Sequence, residues 1–402
     1  EAPENGKGSR IPGRSPVTAP RREGRVKLLP PLAGVLVACA AALWGAGAPA
    51  PARSLFAEGV EALLLVGDAG SPAADEPLLR ALAAEAARDP ERTLVVHLGD
   101  NLYPNGLPAE GDPRRKEGER RLAALADAAL GAGARVLFLP GNHDWDGMRA
   151  DGLASVLRQE AFLSKRSARL LYAPGGGCPG PLLLPTASGV TLAVLDTQWW
   201  LQHEGPRPEG AASGCGARSE EEALAQLREA AEREPLALLT HHPLATGGPH
   251  GERSGDWKAH LFPLRDASPS AWVPLPGLGS LWVAYRELKG TGQDLSNGRY
   301  RRLRAGLSRA LAGHPALFQA SGHDHSLQVL ESPVPAARWV LVSGSGIFPG
   351  GTVVSRLPST RYATARAGFL RVRLDRGRPP RLAAFEAQAS GDPVLRFETD
   401  LR

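Results

Sequence analysis

The sequence predicts a layered α/β domain over about residues 60–390. Short apolar runs in this region stop abruptly at polar residues, which is typical of buried strands that end at the carboxyl edge of a sheet. Ala- and Leu-rich stretches with apolar residues at helical spacing lie between those runs. Strands and helices that alternate over this length are characteristic of layered α/β folds, in which helices cover the faces of a sheet.

Five of the apolar runs end in residues of a type that binds metal ions. Each tip carries an aspartate, asparagine or histidine, and side chains at the carboxyl ends of neighbouring strands meet at one edge of a sheet. The series therefore predicts one composite site. The predicted strands and their polar residues are 63–66 with Asp68, 94–98 with Asp100, 136–139 with Asn142, 236–239 with His241 and 316–320 with His323.

Helical spacing predicts four helices between these strands. They are 75–88, 116–130, 219–233 and 300–311. Ser219 is the expected N-cap of the third helix, because Glu222 follows three residues later and completes a capping box.

Further strands are predicted outside the five tips. The run 191–195 ends at Asp196, for which a helix cap is the expected role. A strand and a tight turn are predicted over 340–346, and alternation after residue 367 predicts edge strands. His97 lies inside a strand and is expected in the core.

Residues 251–298 interrupt this alternation and are rich in Trp, Pro and Gly. Long segments of this kind often carry function near a site. We predict an insertion over the site that shapes substrate access, and a surface excursion without a role is the alternative.

Composition and charge argue against a nucleic-acid partner. The apolar fraction of 43% is sufficient for a globular core. The formal net charge of +5 is concentrated in residues 1–27, which hold seven Lys or Arg against three Glu and leave about +1 for the rest. A nucleic-acid binder normally has a basic face in its folded part.

The N-terminal region has the organisation of an export signal. A basic front precedes an uncharged stretch at 28–52, whose apolar centre at 32–44 is shorter than the ~20 residues that span a bilayer. Within it, Leu-Val-Ala-Cys at 36–39 resembles a bacterial lipobox, which predicts lipidation of Cys39. An ordinary signal peptide cleaved near residues 46–48 and an uncleaved anchor are the alternatives.

These features divide the chain into an export segment with a Pro- and Ala-rich tether at 1–54 and a folded domain at 55–402. We expect a periplasmic or outer-membrane lipoprotein, or otherwise a secreted protein. Membrane association through the N-terminal segment or a lipid on Cys39 follows from the same prediction. Export also predicts a disulfide between the remaining cysteines, Cys178 and Cys215, with two free thiols as the alternative.

The polar tips form five motifs whose order resembles the calcineurin-like metallophosphoesterases, and within them the purple acid phosphatases. The motifs are Gly-Asp-Ala-Gly at 67–70, Gly-Asp-Asn-Leu-Tyr at 99–103, Gly-Asn-His-Asp at 141–144, the histidine at 241 and Gly-His-Asp-His at 322–325. Most members of that superfamily have a ligating histidine where Gly70 stands, and the purple branch has a ligating tyrosine where Tyr103 stands. The resemblance implies an α/β/β/α sandwich of two mixed β-sheets flanked by helices.

The resemblance also implies a binuclear metal centre in which Asp100 bridges two ions. Carboxylate and phenolate oxygens suit Fe(III), while an amide oxygen and imidazoles suit Fe(II), Zn or Mn as the second ion. By the family's pattern, the first ion would be held by Asp68, Asp100, Tyr103 and His325, and the second by Asp100, Asn142, His241 and His323.

Hydrolysis of phosphate esters by a metal-bound hydroxide follows from the same resemblance. His143 would stabilise charge on the phosphate, Asp144 would orient His143, and His250 is the candidate general acid for the leaving group. A solvated loop histidine is the alternative for His250. His242 follows a ligand and is expected to support the site without binding a metal.

Together these features predict an exported phosphatase that hydrolyses small phosphate monoesters. A phosphodiesterase or nucleotidase on the same fold is one alternative, because the motifs specify the metals and not the ester. A non-catalytic protein-binding scaffold with an eroded site is the other alternative, and the complete set of seven ligands argues against it.

Overall fold

The computed structural model describes residues 55–251, 256–266, 268, 270–347 and 352–402. The predicted export segment, the tether and Cys39 lie outside the described residues. Within those described ranges, no helix has both the length and the apolar character needed to cross a membrane.

The described strands form two sheets of seven strands each. In chain order they are β1 (Ala62–Val66), β2 (Thr93–Leu98), β3 (Arg135–Leu139), β4 (Leu170–Tyr172), β5 (Leu182–Pro185), β6 (Thr191–Val194), β7 (Leu236–Leu239), β8 (Ala316–Ser321), β9 (Leu327–Glu331), β10 (Ala337–Ser343), β11 (Thr360–Thr364), β12 (Gly368–Arg373), β13 (Arg381–Ala387) and β14 (Pro393–Asp400). The first sheet has the order β14-β13-β12-β1-β2-β3-β4, and the second has the order β11-β9-β10-β8-β7-β6-β5. Both sheets are mixed, since parallel pairs such as β1 with β2 and β7 with β8 adjoin antiparallel pairs such as β1 with β12 and β9 with β10.

Helices cover the outer faces of the two sheets, apart from two that lie in the 251–298 segment. Those in the described chain are α1 (Pro77–Ala86), α2 (Arg115–Gly131), α3 (Gly152–Leu163), α4 (Thr197–Leu201), α5 (Glu220–Arg233), α6 (Trp257–Leu261), α7 (Leu278–Leu288) and α8 (Gly298–Leu311). Helix α5 begins as predicted, because the Ser219 hydroxyl accepts the backbone N–H of Glu222 at 3.2 Å. The Glu222 carboxylate accepts the N–H of Arg218 at 2.8 Å, one residue before the donor that a capping box would use.

The pleat of the strands sends alternate side chains into two layers of core. Leu63 and Leu65 of β1 belong to the cluster between the sheets, together with Leu239 of the second sheet. Leu64 and Val66 point the other way, into the cluster that the helices cover. Because both faces of these strands are buried, their sequences are continuously apolar and not alternating.

The structure confirms the predicted α/β/β/α sandwich, and the five predicted tip strands and four predicted helices lie within two residues of their predicted ends. Helix α3 was not predicted, because Ser155 and Gln159 are polar residues at two of its buried positions and weaken the apolar period. Helices α4 and α6 have five residues each, too few for a periodic pattern. The prediction of edge strands at the C-terminus holds for β14 alone, since β12 and β13 lie inside the first sheet.

A disulfide joins Cys178 and Cys215 across 37 residues of chain, as predicted. Closing a loop of that length stabilises the fold by about 4 kcal/mol in the chain-entropy account. We therefore expect reductant to lower the melting temperature of the full chain by about 5 °C, measured by calorimetry. The Cys39→Ser variant keeps the pair and should respond equally, whereas the Cys178→Ser/Cys215→Ser variant should melt early and ignore reductant. An equal melting temperature with and without reductant in the wild-type chain would contradict a stabilising role.

Candidate metal centre

The predicted ligands follow strands that are neighbours within the two sheets. β1, β2 and β3 are adjacent and parallel in the first sheet, and β7 and β8 are adjacent and parallel in the second. Their carboxyl ends meet at one edge of the sandwich, and the structure brings all seven predicted ligands together there. These ligands are Asp68 after β1, Asp100 and Tyr103 after β2, Asn142 after β3, His241 after β7, and His323 and His325 after β8.

One oxygen of the Asp100 carboxylate faces the first group of donors. The Tyr103 hydroxyl lies 3.1 Å from Asp100 Oδ2 and 3.1 Å from Asp68 Oδ1. His325 Nε2 lies 3.3 Å from that hydroxyl and 3.5 Å from Asp68 Oδ1. This group consists mainly of oxygen donors and matches the set predicted for the first ion.

The other oxygen of Asp100 faces the second group. His241 Nε2 lies 3.5 Å from Asp100 Oδ1 and 2.9 Å from Asn142 Oδ1. His323 Nδ1 lies 3.2 Å from the same amide oxygen. Asp100 is therefore shared between the two groups, one oxygen to each.

Backbone carbonyls determine which nitrogen of each histidine faces the second group. His241 Nδ1 donates to the carbonyl of Leu98 at 2.8 Å, which leaves Nε2 toward Asp100. His323 Nε2 donates to the carbonyl of Gln293 at 2.9 Å, which leaves Nδ1 toward Asn142. Second partners of this kind orient imidazoles that bind metals.

Three of the ligands adopt backbone conformations that are uncommon for residues other than glycine. The φ angles are 56° at Asp68, 54° at Asp100 and 72° at His323. Strain of this kind is concentrated at functional sites, where the surrounding structure holds it. Close backbone approach accompanies it: a Cβ on Gly141 would lie 2.4 Å from Asp100 Oδ1, and a Cβ on Gly322 would lie 2.5 Å from Asp68 Oδ2.

Gly70 and Tyr103 are physically linked. A Cβ on Gly70 would lie 2.5 Å from the backbone nitrogen of Leu102, so no side chain fits there while the loop after β2 keeps its path. The N–H of Tyr103 donates to the carbonyl of Gly70 at 3.1 Å. The missing histidine thus makes room for the segment that carries the tyrosine into the site, which explains why the two departures from the superfamily pattern occur together.

The charge states of the site suit cations. Burial raises the pKa of Asp68, whereas on Asp100 the attraction of nearby histidines outweighs burial and lowers the pKa. Burial lowers the pKa of His323 well below its usual value, so its imidazole is neutral. Burial, together with the charges of Asp100 and Asp68, raises the pKa of Tyr103 well above its usual value. A neutral imidazole and an ionised carboxylate bind metals directly, and the phenol would ionise only beside a cation.

The donor atoms present fit a pair of metal ions. Ligand atoms of Asp68, Asp100 and His241 lie within 4.8 Å of one another, and all three side chains are buried. Two buried carboxylates beside one another are costly without a positive charge between them. Oxygen-rich donors on one side and imidazoles on the other give the two positions different preferences for metals.

His143 borders the first group, but Asp144 does not orient it, so that prediction was wrong. The His143 ring donates through Nδ1 to the carbonyl of Pro104 at 2.6 Å. The Asp144 carboxylate points inward and accepts the N–H groups of Gly141 at 2.8 Å and Asn101 at 3.1 Å. Asp144 therefore shapes the loop that carries the ligand Asn142, because its short side chain is buried against the backbone.

His250 lies at the site and is not a solvated loop histidine. Its ring stacks on that of His323 with centroids 4.3 Å apart, and its Nδ1 lies 2.9 Å from Asp294 Oδ1. Arg286 donates to both oxygens of Asp294, and Gln293 contacts His323 through its carbonyl. These three residues belong to the 251–298 segment, whose irregular sequence gave no motif or period that would have revealed them.

Three other predicted roles can be compared with the structure. His242 bonds to Thr197 Oγ1 at 2.8 Å and to Gln293 Oε1 at 2.6 Å, so it supports the site from behind the ligands. His97 is buried and stacks on a phenylalanine, as expected of a core residue. Asp196 caps α4 through the N–H of Trp199, as predicted, and its carboxylate also accepts the indole N–H of Trp145 at 2.8 Å.

A two-sheet sandwich that gathers six side chains of metal-binding type around the shared carboxylate of Asp100 has the architecture of a binuclear metallophosphoesterase. The sequence profile of the calcineurin-like phosphoesterases matches residues 62–266, which is half of the chain. The chain therefore belongs to the calcineurin-like phosphoesterase family. No curated protein sequence matches it significantly.

Two solved structures are similar to this chain. GAP50, described as the anchor in the inner membrane complex of Plasmodium, has a TM-score of 0.51 and 12% identity over 85% of this chain and 88% of its own. The purple acid phosphatase PPD1 from seeds of yellow lupin (Lupinus luteus) has a TM-score of 0.49 and 11% identity over 86% of this chain and 55% of its own. At such identity, the likeness to GAP50 concerns the fold alone.

Proposed function

We propose that this protein is an exported, metal-dependent phosphatase that hydrolyses small phosphate monoesters. The shared carboxylate of Asp100, whose two oxygens face two separate groups of donor atoms, is the observation that supports the proposal most directly. When bound, a pair of ions held by these groups would polarise the phosphoryl oxygens and supply the nucleophile for hydrolysis.

His143 is the residue that we propose contacts the phosphate. Because Nδ1 donates to the carbonyl of Pro104, Nε2 faces the site, 3.9 Å from Asp100 Oδ2. The side chain is 33% exposed, which leaves Nε2 accessible to a substrate. In its protonated form this nitrogen donates to a phosphoryl oxygen and offsets the charge that develops during transfer.

His250 is the candidate donor of a proton to the leaving alcohol. Asp294 holds its Nδ1, and Arg286 holds Asp294, so the ring has a defined orientation beside the second group of ligands. A histidine supported by a carboxylate in this way is suited to general acid chemistry.

The proposal is tested by turnover of two chromogenic esters with the full chain loaded with metal. We expect hydrolysis of p-nitrophenyl phosphate and at least tenfold slower hydrolysis of bis(p-nitrophenyl) phosphate, in terms of kcat/KM. A preference for the diester would support a phosphodiesterase on the same fold. A chain that binds two ions and hydrolyses neither ester would support the scaffold alternative. The description of GAP50 as an anchor is the reason to test that alternative.

We further propose Fe(III) beside Tyr103 and Fe(II), Zn or Mn beside His241 and His323, as in the purple acid phosphatase branch. Contact between a phenolate and Fe(III) absorbs visible light. The Tyr103→Phe variant of the iron-loaded chain is therefore expected to lose its visible absorption band while its far-ultraviolet circular dichroism is unchanged. Tyr285→Phe is the matched control, because that side chain is 51% exposed on α7. An iron-replete wild-type chain without a visible band would exclude the purple branch and leave the wider family assignment unaffected.

Export remains part of the proposal. A disulfide between Cys178 and Cys215 is consistent with an oxidising compartment, such as the periplasm or the cell exterior. Fractionation of cells that express the full chain, followed by mass measurement of the N-terminus, distinguishes a lipid on Cys39 from simple cleavage and from an uncleaved anchor.

A further inference from the structure

The 251–298 segment carries most of the large hydrophobic side chains that are exposed in the described part of the chain. Of the twelve large hydrophobic side chains that are exposed in the described chain, nine lie between Trp257 and Leu288. We call the exposed apolar side chains of α6, of residues 270–277 and of α7 the insertion surface. Contiguous apolar exposure of this kind marks an interaction site, since isolated exposed leucines are common and clusters are not.

Helix α7 has two different faces. Gly279 and Val283 are buried, and Gly279 lies so close to the carbonyl of His260 that a Cβ there would be 2.0 Å away. The opposite stripe consists of Leu278, Leu281, Tyr285 and Leu288, which follow the spacing of one helical face. Leu281 is 68% exposed and Leu288 is 79% exposed, so the helix turns a stripe of leucines outward.

Each exposed tryptophan of the insertion surface has a cation over its ring. The distances from the charged group to the ring centroid are 5.9 Å for Lys258 on Trp257, 3.7 Å for Arg265 on Trp272 and 5.8 Å for Arg286 on Trp282. Leucines bordered by tryptophans and long cationic side chains match the layering of a phospholipid surface, where acyl chains lie below the phosphate level.

The insertion surface is connected to the metal centre by direct contacts. Arg286 of α7 binds Asp294, and Asp294 binds His250, which stacks on the ligand His323. If Cys39 carries a lipid, residues 40–55 can extend at most about 58 Å from it, which is close to the diameter of about 50 Å for a domain of this size. An anchored chain would thus keep this domain close to a bilayer.

We propose that the insertion surface docks onto a phospholipid bilayer and that the enzyme hydrolyses a phosphate monoester carried by an amphiphile in that bilayer. The proposed substrate rests on the proposed phosphatase function, whereas docking onto the bilayer does not. Lys258 and Arg265 would lie at the level of the lipid phosphates, with Leu281 and Leu288 in the acyl region.

Docking is measured by quenching of tryptophan fluorescence with brominated phosphatidylcholine vesicles, using the full chain. All variants carry Trp44→Phe, so that quenching reports on the folded domain. We expect Leu281→Glu/Leu288→Glu to reduce the quenched fraction at least fivefold, because two leucines that would enter the acyl region on docking are replaced by charges. The matched control is Leu157→Glu/Leu395→Glu, at residues 41% and 49% exposed on α3 and β14, which should quench like the parent.

Equal quenching of the Leu281→Glu/Leu288→Glu variant and its parent, or no quenching of the parent, would overturn docking onto a bilayer. A dimer that forms without lipid and dissociates in this variant, measured by sedimentation, would show instead that the insertion surface binds a second copy of the chain.

Hydrolysis of a substrate in the bilayer is tested by comparing long-chain phosphatidate in vesicles with soluble dihexanoyl phosphatidate. We expect the Leu281→Glu/Leu288→Glu variant to lose at least tenfold in kcat/KM on the vesicle substrate and nothing on the soluble one. Equal loss on both substrates, or no loss on either, would overturn the proposal of a substrate in the bilayer. If no variant hydrolyses phosphatidate or p-nitrophenyl phosphate, the phosphatase function fails, and quenching still decides docking.

Discussion

The Asp100→Asn variant of the metal-loaded chain is expected to turn over p-nitrophenyl phosphate at least about 1000-fold more slowly than the wild type, with loss of bound metal. Each carboxylate oxygen of Asp100 faces a different donor group. An amide offers only one oxygen, and its NH₂ group cannot bind a cation. Elemental analysis beside a turnover assay measures both effects.

Two features make this variant informative. Asparagine tolerates the φ of 54° at this position, so the fold should persist. Asp375→Asn is the matched control, since Asp375 follows β12 at the edge of the sheet opposite the metal centre. A variant at Asp100 that kept two ions and more than a tenth of the turnover would show that this carboxylate is not shared by the ions.

The His143→Ala variant is expected to lower kcat by about 100- to 1000-fold while metal content and KM change little. Its ring is partly exposed beside the ligands and is oriented by the carbonyl of Pro104, so it is placed to act on the substrate and not on the metals. Steady-state kinetics with elemental analysis separate these possibilities. The matched control is His314→Ala, an exposed histidine that precedes β8 at the edge away from the site.

Comparison of leaving groups separates the two catalytic histidines. If His143 stabilises charge on the phosphoryl oxygens, its removal should lower kcat similarly for p-nitrophenyl and alkyl phosphates. If His250 protonates the leaving alcohol, His250→Gln should slow alkyl phosphates strongly and p-nitrophenyl phosphate little, since nitrophenolate leaves without a proton. An effect of His143→Ala that is confined to alkyl esters would indicate that His143, and not His250, protonates the leaving alcohol.

The ligands were predictable because they lie beside signals that are local in sequence. A strand buried on both faces has a continuously apolar sequence, and the first polar residue after it marks the carboxyl end of the strand. Asp68, Asp100 and Asn142 each follow such a run within three residues, and the structure places all three at one edge of the first sheet. Gly70 and Tyr103 were likewise visible as a paired departure from the superfamily pattern.

Contacts between distant segments were not predictable in the same way. Asp144 was expected to support the neighbouring His143, but its carboxylate instead holds the backbone of Asn101, 43 residues away. Whether an aspartate turns toward the next side chain or toward buried N–H groups depends on which donors the fold leaves without partners.

The sequence by itself determined the layered fold and the order along the chain of five strands with polar tips, because both depend on burial and spacing along short segments, while the set of seven ligands came from the resemblance to a family. Only the tertiary structure decided that each oxygen of Asp100 serves a different group, that Gln293 and Asp294 support the site histidines, and that the leucines of α7 face outward. These features depend on side chains from segments far apart in the chain, and their distances and orientations are set by packing of the two sheets and the insertion.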